Sequence, residues 1–182
     1  MRKSARGFTL VELLIVIAII AILAAVVMLI INPLELQRRG KDSTRIADLQ
    51  QLNTAINALV TDATNSAANV LCVNTSTPCT GKSTDANARN KDGTGWAKVD
   101  LTGSKPFQVP VLPVDPNNNA TNHYTYCSNG TGWELNAVLE SDQQKTRMAN
   151  DGGNENATDT TGRFEFGSDL TLIAASGGSC TY

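Results

Sequence analysis

The sequence predicts an α+β fold: a long N-terminal α-helix packed on a small C-terminal antiparallel β-sheet. Three observations predict it. An unbroken apolar run of 24 residues extends from Phe8 to Ile31. Beyond it, Ile46, Leu49, Leu52, Ile56 and Leu59 recur at intervals of three or four, the spacing of a helix with one buried stripe. Two strand-like segments, His123-Tyr-Thr-Tyr-Cys127 and Trp133-Glu-Leu-Asn-Ala-Val-Leu-Glu140, flank Ser128-Asn-Gly-Thr-Gly132, and Asn-Gly is the strongest short hairpin signal.

The apolar run is about 36 Å long as a helix, enough to cross a bilayer core of roughly 30 Å. It holds no Gly or Pro, and its only polar residues are Thr9 and Glu12. A carboxylate in a lipid-spanning helix costs a few kcal/mol. Glu12 lies about one turn into the run, so it reads either as a tolerated interfacial charge or as a charge kept for a partner. A short cationic leader, Met1-Arg-Lys-Ser-Ala-Arg-Gly7, precedes the run, and Asn32-Pro33 interrupts it.

Pro33 removes one backbone donor and kinks the helix without ending it, which predicts one helix from about Phe8 to Val60. A small domain cannot cover the apolar half of such a helix, which must sit in lipid or among other helices. This points to a polymer subunit. Residues 61–105 are rich in Thr, Asn, Ser, Ala, Asp and Gly and read as a surface connection, anchored by Val70-Leu71-Cys72-Val73 and hiding a short helix or strand. Pro106, Pro110, Pro113 and Pro116 make the next stretch an extended approach to the sheet. In the second strand Trp133, Leu135, Ala137 and Leu139 share a face suited to the helix stripe. Arg163-Phe-Glu-Phe166 is a third strand, and Leu170–Ile173 returns to the core.

The net charge is −2; without the leader, 12 basic residues face 17 acidic ones, and from Ile46 onward 8 face 14. An acidic domain with no basic stripe predicts no direct nucleic acid binding. The four cysteines, Cys72, Cys79, Cys127 and Cys180, all follow the apolar run and suit disulfides of an exported domain. Three pairings are open; Cys72–Cys79, a local clip, with Cys127–Cys180, a tie from C-terminus to sheet, is preferred. Zinc is the competing use, but no C-x-x-C occurs and His123 is the single His. No nucleophile elbow, P-loop or dinucleotide fingerprint is present, so no enzyme is expected. The carboxylate pairs Asp151/Glu155 and Glu140/Asp142 read as solvated. The oxygen-rich stretch from Asp151 to Asp159, with Asp151, Asn154, Asn156 and Asp159, is a candidate calcium loop, though not an EF-hand; otherwise no cofactor is expected.

The basic leader, Gly7-Phe8, Glu12 four residues after Phe8, and the unbroken apolar run together resemble the class III signal of type IV pilins and pseudopilins. The resemblance is strong over residues 1–60. It divides the chain into a leader (1–7), a transmembrane or filament-core half-helix (8–31), an amphipathic half-helix (32–60), a variable connecting region (61–105) and a sheet domain (106–182). It implies cleavage between Gly7 and Phe8 by a prepilin peptidase, which N-methylates Phe8. It also implies that Glu12 meets the Phe8 ammonium of a neighbouring subunit. Buried charges that pair recover part of their desolvation cost, so Glu12 can set the stagger of subunits. The chain would enter the inner (cytoplasmic) membrane through Sec as a single-pass protein with its C-terminal domain outside. It would then polymerise into a pilus at the cell surface or a pseudopilus in the periplasm. The implied partners are further copies of itself, minor pilins or pseudopilins, the peptidase, an assembly platform protein and an assembly ATPase.

The proline-rich lead-in is similar to that of G-type major pseudopilins, which carry calcium in a loop of the sheet region. A type II secretion pseudopilin is therefore one alternative to a surface pilin. The other is a signal-anchored binding domain that never polymerises. A cleaved secretory signal fits less well, because the run is too long and contains Glu12. Basic residues do not fix orientation: three in the leader oppose Arg38, Arg39, Lys41 and Arg45.

Overall fold

The computed structural model describes residues 7–62, 67–102, 109–154, 157–158, 161–173 and 180–181. The fold is α+β, as the sequence predicts. In chain order the elements are α1 (Leu10–Ile30), α2 (Pro33–Asp62), α3 (Ala67–Leu71), β1 (Cys79–Lys82), β2 (Thr125–Ser128), β3 (Trp133–Ala137), α4 (Lys145–Met148) and β4 (Phe164–Gly167). The chain divides into two units, residues 1–37 and 38–182.

The first unit holds α1 and the start of α2. The expected single helix is two helices, because Asn32-Pro33 stops one and starts the next. Ile31 is extended at φ −91°, ψ 105° and ends α1 as its C-cap. Asn32 Oδ1 then accepts from the backbone N–H groups of Leu34 and Glu35 at 3.2 and 3.3 Å, and Pro33 is the first residue of α2. An Asn cap followed by Pro in the first helical turn is a starting signal.

In the second unit a four-stranded antiparallel sheet runs in the order β1-β2-β3-β4. Leu49, Leu52, Ala55, Ile56 and Leu59 of α2 are buried in one core with Tyr126, Trp133, Leu135, Ala137 and Phe164 of the sheet. Full burial of each Leu or Ile stabilises by about 2 kcal/mol. The hairpin turn between β2 and β3 is held by Asn129, whose Oδ1 accepts from the N–H groups of Thr131 and Gly132, while Gly130 takes φ 84°, which favours glycine.

The connecting region holds the short elements expected of it, α3 and β1, and it supplies not only Leu71 but also Trp96, Val99 and Leu101 to the core. Trp96 donates its indole N–H to Pro113 O at 2.8 Å, so the aromatic side chain reaches the core with its polar atom satisfied. The two central strands are covered on both faces: every residue of β2 and β3 is buried, while Thr80 of the edge strand β1 is exposed. Leu172, Ile173 and Cys180 form a second apolar cluster with Cys127, beside Glu134 on the face of β3 opposite Leu135.

The disulfides are Cys72–Cys79 and Cys127–Cys180, each with Cα atoms 5.8 Å apart. The separations are 7 and 53 residues, so loop-closure entropy assigns about 2.5 kcal/mol to the first and about 4 kcal/mol to the second. Serine at both Cys127 and Cys180 is therefore expected to lower the thermal midpoint more than serine at both Cys72 and Cys79. Calorimetry of the two double variants checks the order.

Candidate functional site

The N-terminal segment carries the residues singled out in the sequence. Thr9 caps α1, and Glu12 completes a capping box. Thr9 donates its backbone N–H to Glu12 Oε2 at 2.9 Å and its hydroxyl to the same oxygen at 2.6 Å, while Glu12 N–H donates to Thr9 Oγ1 at 3.2 Å. The box satisfies N–H groups that the first turn leaves without partners. Both bonds from Thr9 end on Oε2; Glu12 Oε1 has no partner among the described residues. Phe8 is 80% exposed, and a Cβ added at Gly7 would meet nothing within 4 Å. Gly7 and Phe8 are thus both exposed, and Glu12 Oε1 is open to a group outside the chain.

Residues Leu10–Met28 form a helix long and apolar enough to cross a membrane, with mean hydropathy 3.2 and none of the span buried. The described side chains of α1 are exposed on every side of the helix. The leader residues 1–6 lie outside the described residues.

The oxygen-rich stretch is described in part. Asp151 accepts from Gly153 N–H at 3.1 Å and from Glu165 N–H at 2.9 Å, so its carboxylate fastens the loop to β4. Burial raises its pKa. Asn154 is exposed; Glu155, Asn156 and Asp159 lie outside the described residues. Among the described residues no three His, Cys, Asp or Glu side chains gather to hold a metal. His123 is buried and hydrogen-bonds Asn119 O through Nδ1 at 3.2 Å; burial holds its pKa down, favouring the neutral ring.

Two polar groupings escaped the sequence reading. The first is a clamp around Arg45, which is wholly buried. Its guanidinium grips Asp115 in bidentate fashion, with Nε to Oδ2 at 2.7 Å and Nη2 to Oδ1 at 3.0 Å. Nη1 reaches Asp42 Oδ1 at 2.8 Å and Glu140 Oε2 at 2.7 Å. Glu140 is thus engaged rather than solvated. Asp42 also accepts from the backbone N–H groups of Glu140 and Ser141, and Tyr124 donates its hydroxyl to Asp48 Oδ2 at 2.8 Å. The carboxylates hold Arg45 in its charged form despite burial, and burial pushes the Tyr124 hydroxyl far above its ordinary range. The clamp fixes α2 to the loop at Asp115 and to the end of the segment after β3. The signal was present: Asp42 and Arg45 continue the Leu49, Leu52, Ile56 and Leu59 stripe at the same three-four spacing.

The second grouping is on the outer face of the sheet. Glu134 is wholly buried, accepts from Ile173 N–H at 2.9 Å, and meets the Glu165 carboxyl at hydrogen-bond range. Burial, reinforced by Glu165, pushes Glu134 up to about 10.

The arrangement is pilin-like: an apolar N-terminal helix, an amphipathic helix and a small antiparallel sheet. Residues 2–28 match the family model of the prokaryotic N-terminal methylation motif. That match covers Gly7, Phe8 and Glu12 and supports a type IV pilin or pseudopilin carrying a class III signal. No curated protein and no solved structure gives a significant match to the chain.

Proposed function

We propose that this chain is the structural subunit of a type IV pilus-like filament, processed and N-methylated by prepilin peptidase and polymerised through α1. One observation carries the reading: the methylation motif at residues 2–28 coincides with a helix whose apolar side chains are exposed all round. In water such a surface is a liability; lipid covers it before assembly and neighbouring copies of α1 cover it afterwards. Cleavage frees a Phe8 ammonium, and Glu12 Oε1 of an adjacent copy accepts from it. Subunits thus move from the cytoplasmic membrane, with the sheet domain outside, into a bundle of α1 helices at the cell surface. The work of the protein is structural, and its partners are other copies, minor pilins, the peptidase and the platform protein.

Two features favour a surface pilin over a type II secretion pseudopilin: the long connecting region and the two disulfides. Electron microscopy of material sheared from cells that carry the assembly machinery tests the reading. Long filaments containing this chain are expected. Its confinement to the periplasm in short assemblies would favour the pseudopilin, and monomers alone would favour a static anchor.

Gly7 gives a second test. Nothing in the fold touches a side chain at this position, so Gly7→Leu is expected to leave folding unchanged while the leader is retained and filaments are lost. Immunoblots for the size shift on cleavage check this. Normal cleavage of the variant would remove Gly7 from the peptidase site.

A further inference from the structure

The outer face of the sheet contains a buried polar layer that neither the core nor assembly through α1 uses. Thr125, Glu134 and Asn136 are 0% exposed there and Glu165 is 2% exposed. The register sets Asn136 opposite Glu165, and Glu134 lies two residues before Asn136 on the same face. The two carboxyls therefore stand diagonally across β3 and β4, within reach of each other, and they hydrogen-bond. A carboxylate has no donor, so one of the two must carry a proton. Glu134 carries it: burial and the facing Glu165 carboxyl outweigh the Ile173 and Leu172 N–H groups, which favour its ionised form.

The end of the chain roofs this acid. Glu134 is opposite Cys127 of β2, and Cys127 is joined to Cys180 and packed with Leu172 and Ile173. Ile173 donates its N–H to Glu134 Oε2 at 2.9 Å. Ile173 also bridges to Cys180, and Thr181 N–H donates to Leu172 O at 2.7 Å. The C-terminal segment is thus a strap over Glu134, tied at Cys180. We propose that one proton shared by Glu134 and Glu165 locks this strap onto the sheet, and that its loss in alkaline medium loosens the strap. The proton leaves to solvent base and two adjacent anions remain buried. Water relieves them, and lifting the strap admits it. The other titratable groups about this face are Lys82 in the Thr125 row of β1, His123 before β2, Arg163 before β4, Asp151 beneath Glu165 N–H, and Asp169, which accepts from Thr171. His123 is held neutral by burial, so it gains no charge as pH rises. The lock is independent of the filament reading.

A carboxyl that ionises in the ordinary range when unfolded, but stays protonated when folded, contributes stability that is complete below that range. That stability is lost as pH rises into the alkaline region. The test is thermal melting of full-length protein in detergent between about pH 7 and about pH 9, a window above the ordinary His range. The wild-type midpoint is expected to fall by about 5 °C. Glu134→Gln keeps the shape and supplies an N–H to Glu165, so its midpoint is expected to change by less than about 2 °C. Asp151→Asn is expected to keep the wild-type fall. Infrared spectra of the wild type at neutral pH, which need no variant, are expected to show the carbonyl stretch of a buried protonated carboxyl. Amide hydrogen exchange, corrected for its intrinsic pH dependence, is expected to show protection of Leu172 and Ile173 falling before that of α2. Absence of the protonated carboxyl band would overturn the proposal, as would a midpoint fall that Glu134→Gln leaves unchanged. Constant protection at Leu172 and Ile173 would overturn the strap.

Discussion

Glu12→Ala is expected to abolish filament assembly, and Glu12→Gln to abolish it almost as completely. The two variants differ in what they leave of the helix start. Gln preserves the capping box with Thr9, because the box accepts Glu or Gln at this position. Ala removes it, at a cost of about 1 kcal/mol. Neither supplies a negative charge for the ammonium of a neighbouring Phe8. Stranding that ammonium among apolar helices costs about 3–5 kcal/mol per subunit, or on the order of a hundredfold or more in each addition equilibrium. Sheared filament yield, measured against total cellular protein, should fall to background in both variants while membrane levels stay normal. If Glu12→Gln assembled like the wild type, Glu12 would be a helix cap and nothing more.

Arg45→Met is expected to cause the largest loss of stability of any single exchange in the sheet domain. The side chain is wholly buried, and Asp42 and Asp115 beside it are 0% and 2% exposed. Removing the guanidinium leaves their carboxylates without the cation they surround, at about 3–5 kcal/mol. For a domain of this size that lowers the thermal midpoint by roughly 10 °C. The penalty belongs to breaking the cluster; it does not measure how much the intact cluster stabilises the fold. Lys41→Ala, which removes a contact from Nζ to Asn117 Oδ1 at the edge of the same cluster, should shift the midpoint by no more than about 2 °C. Calorimetry of the full chain in detergent separates the two. A shift below 2 °C for Arg45→Met would mean that the acidic partners rearrange and reach water.

The apolar helix, the α2 stripe, the hairpin and the third strand were legible because each rests on a local signal: run length, three-four spacing, Asn-Gly, alternation. The break at Ile31 was legible in principle, since Asn32-Pro33 is a cap followed by a first-turn proline, and it was weighed only as a kink. The strand β1 was hidden because Cys79-Thr-Gly-Lys82 is short and carries a Gly, and pairing with β2 makes it a strand. The Arg45 clamp left one trace, charged residues at stripe positions, but its partners Asp115 and Glu140 lie 70 or more residues away. The polar layer of Thr125, Glu134, Asn136 and Glu165 left none. On paper those residues alternate with apolar ones as an exposed face does, and only the chain folding over them shows otherwise.

The central claim is that this chain is cut at Gly7 and used as a polymer subunit. Mass spectrometry of the N-terminal peptide from native cells tests it most directly. The account predicts a mature chain that begins at N-methylated Phe8. A mature pool that still carries Met1 to Gly7 would contradict it, leaving α1 a fixed membrane anchor and Glu12 only its cap.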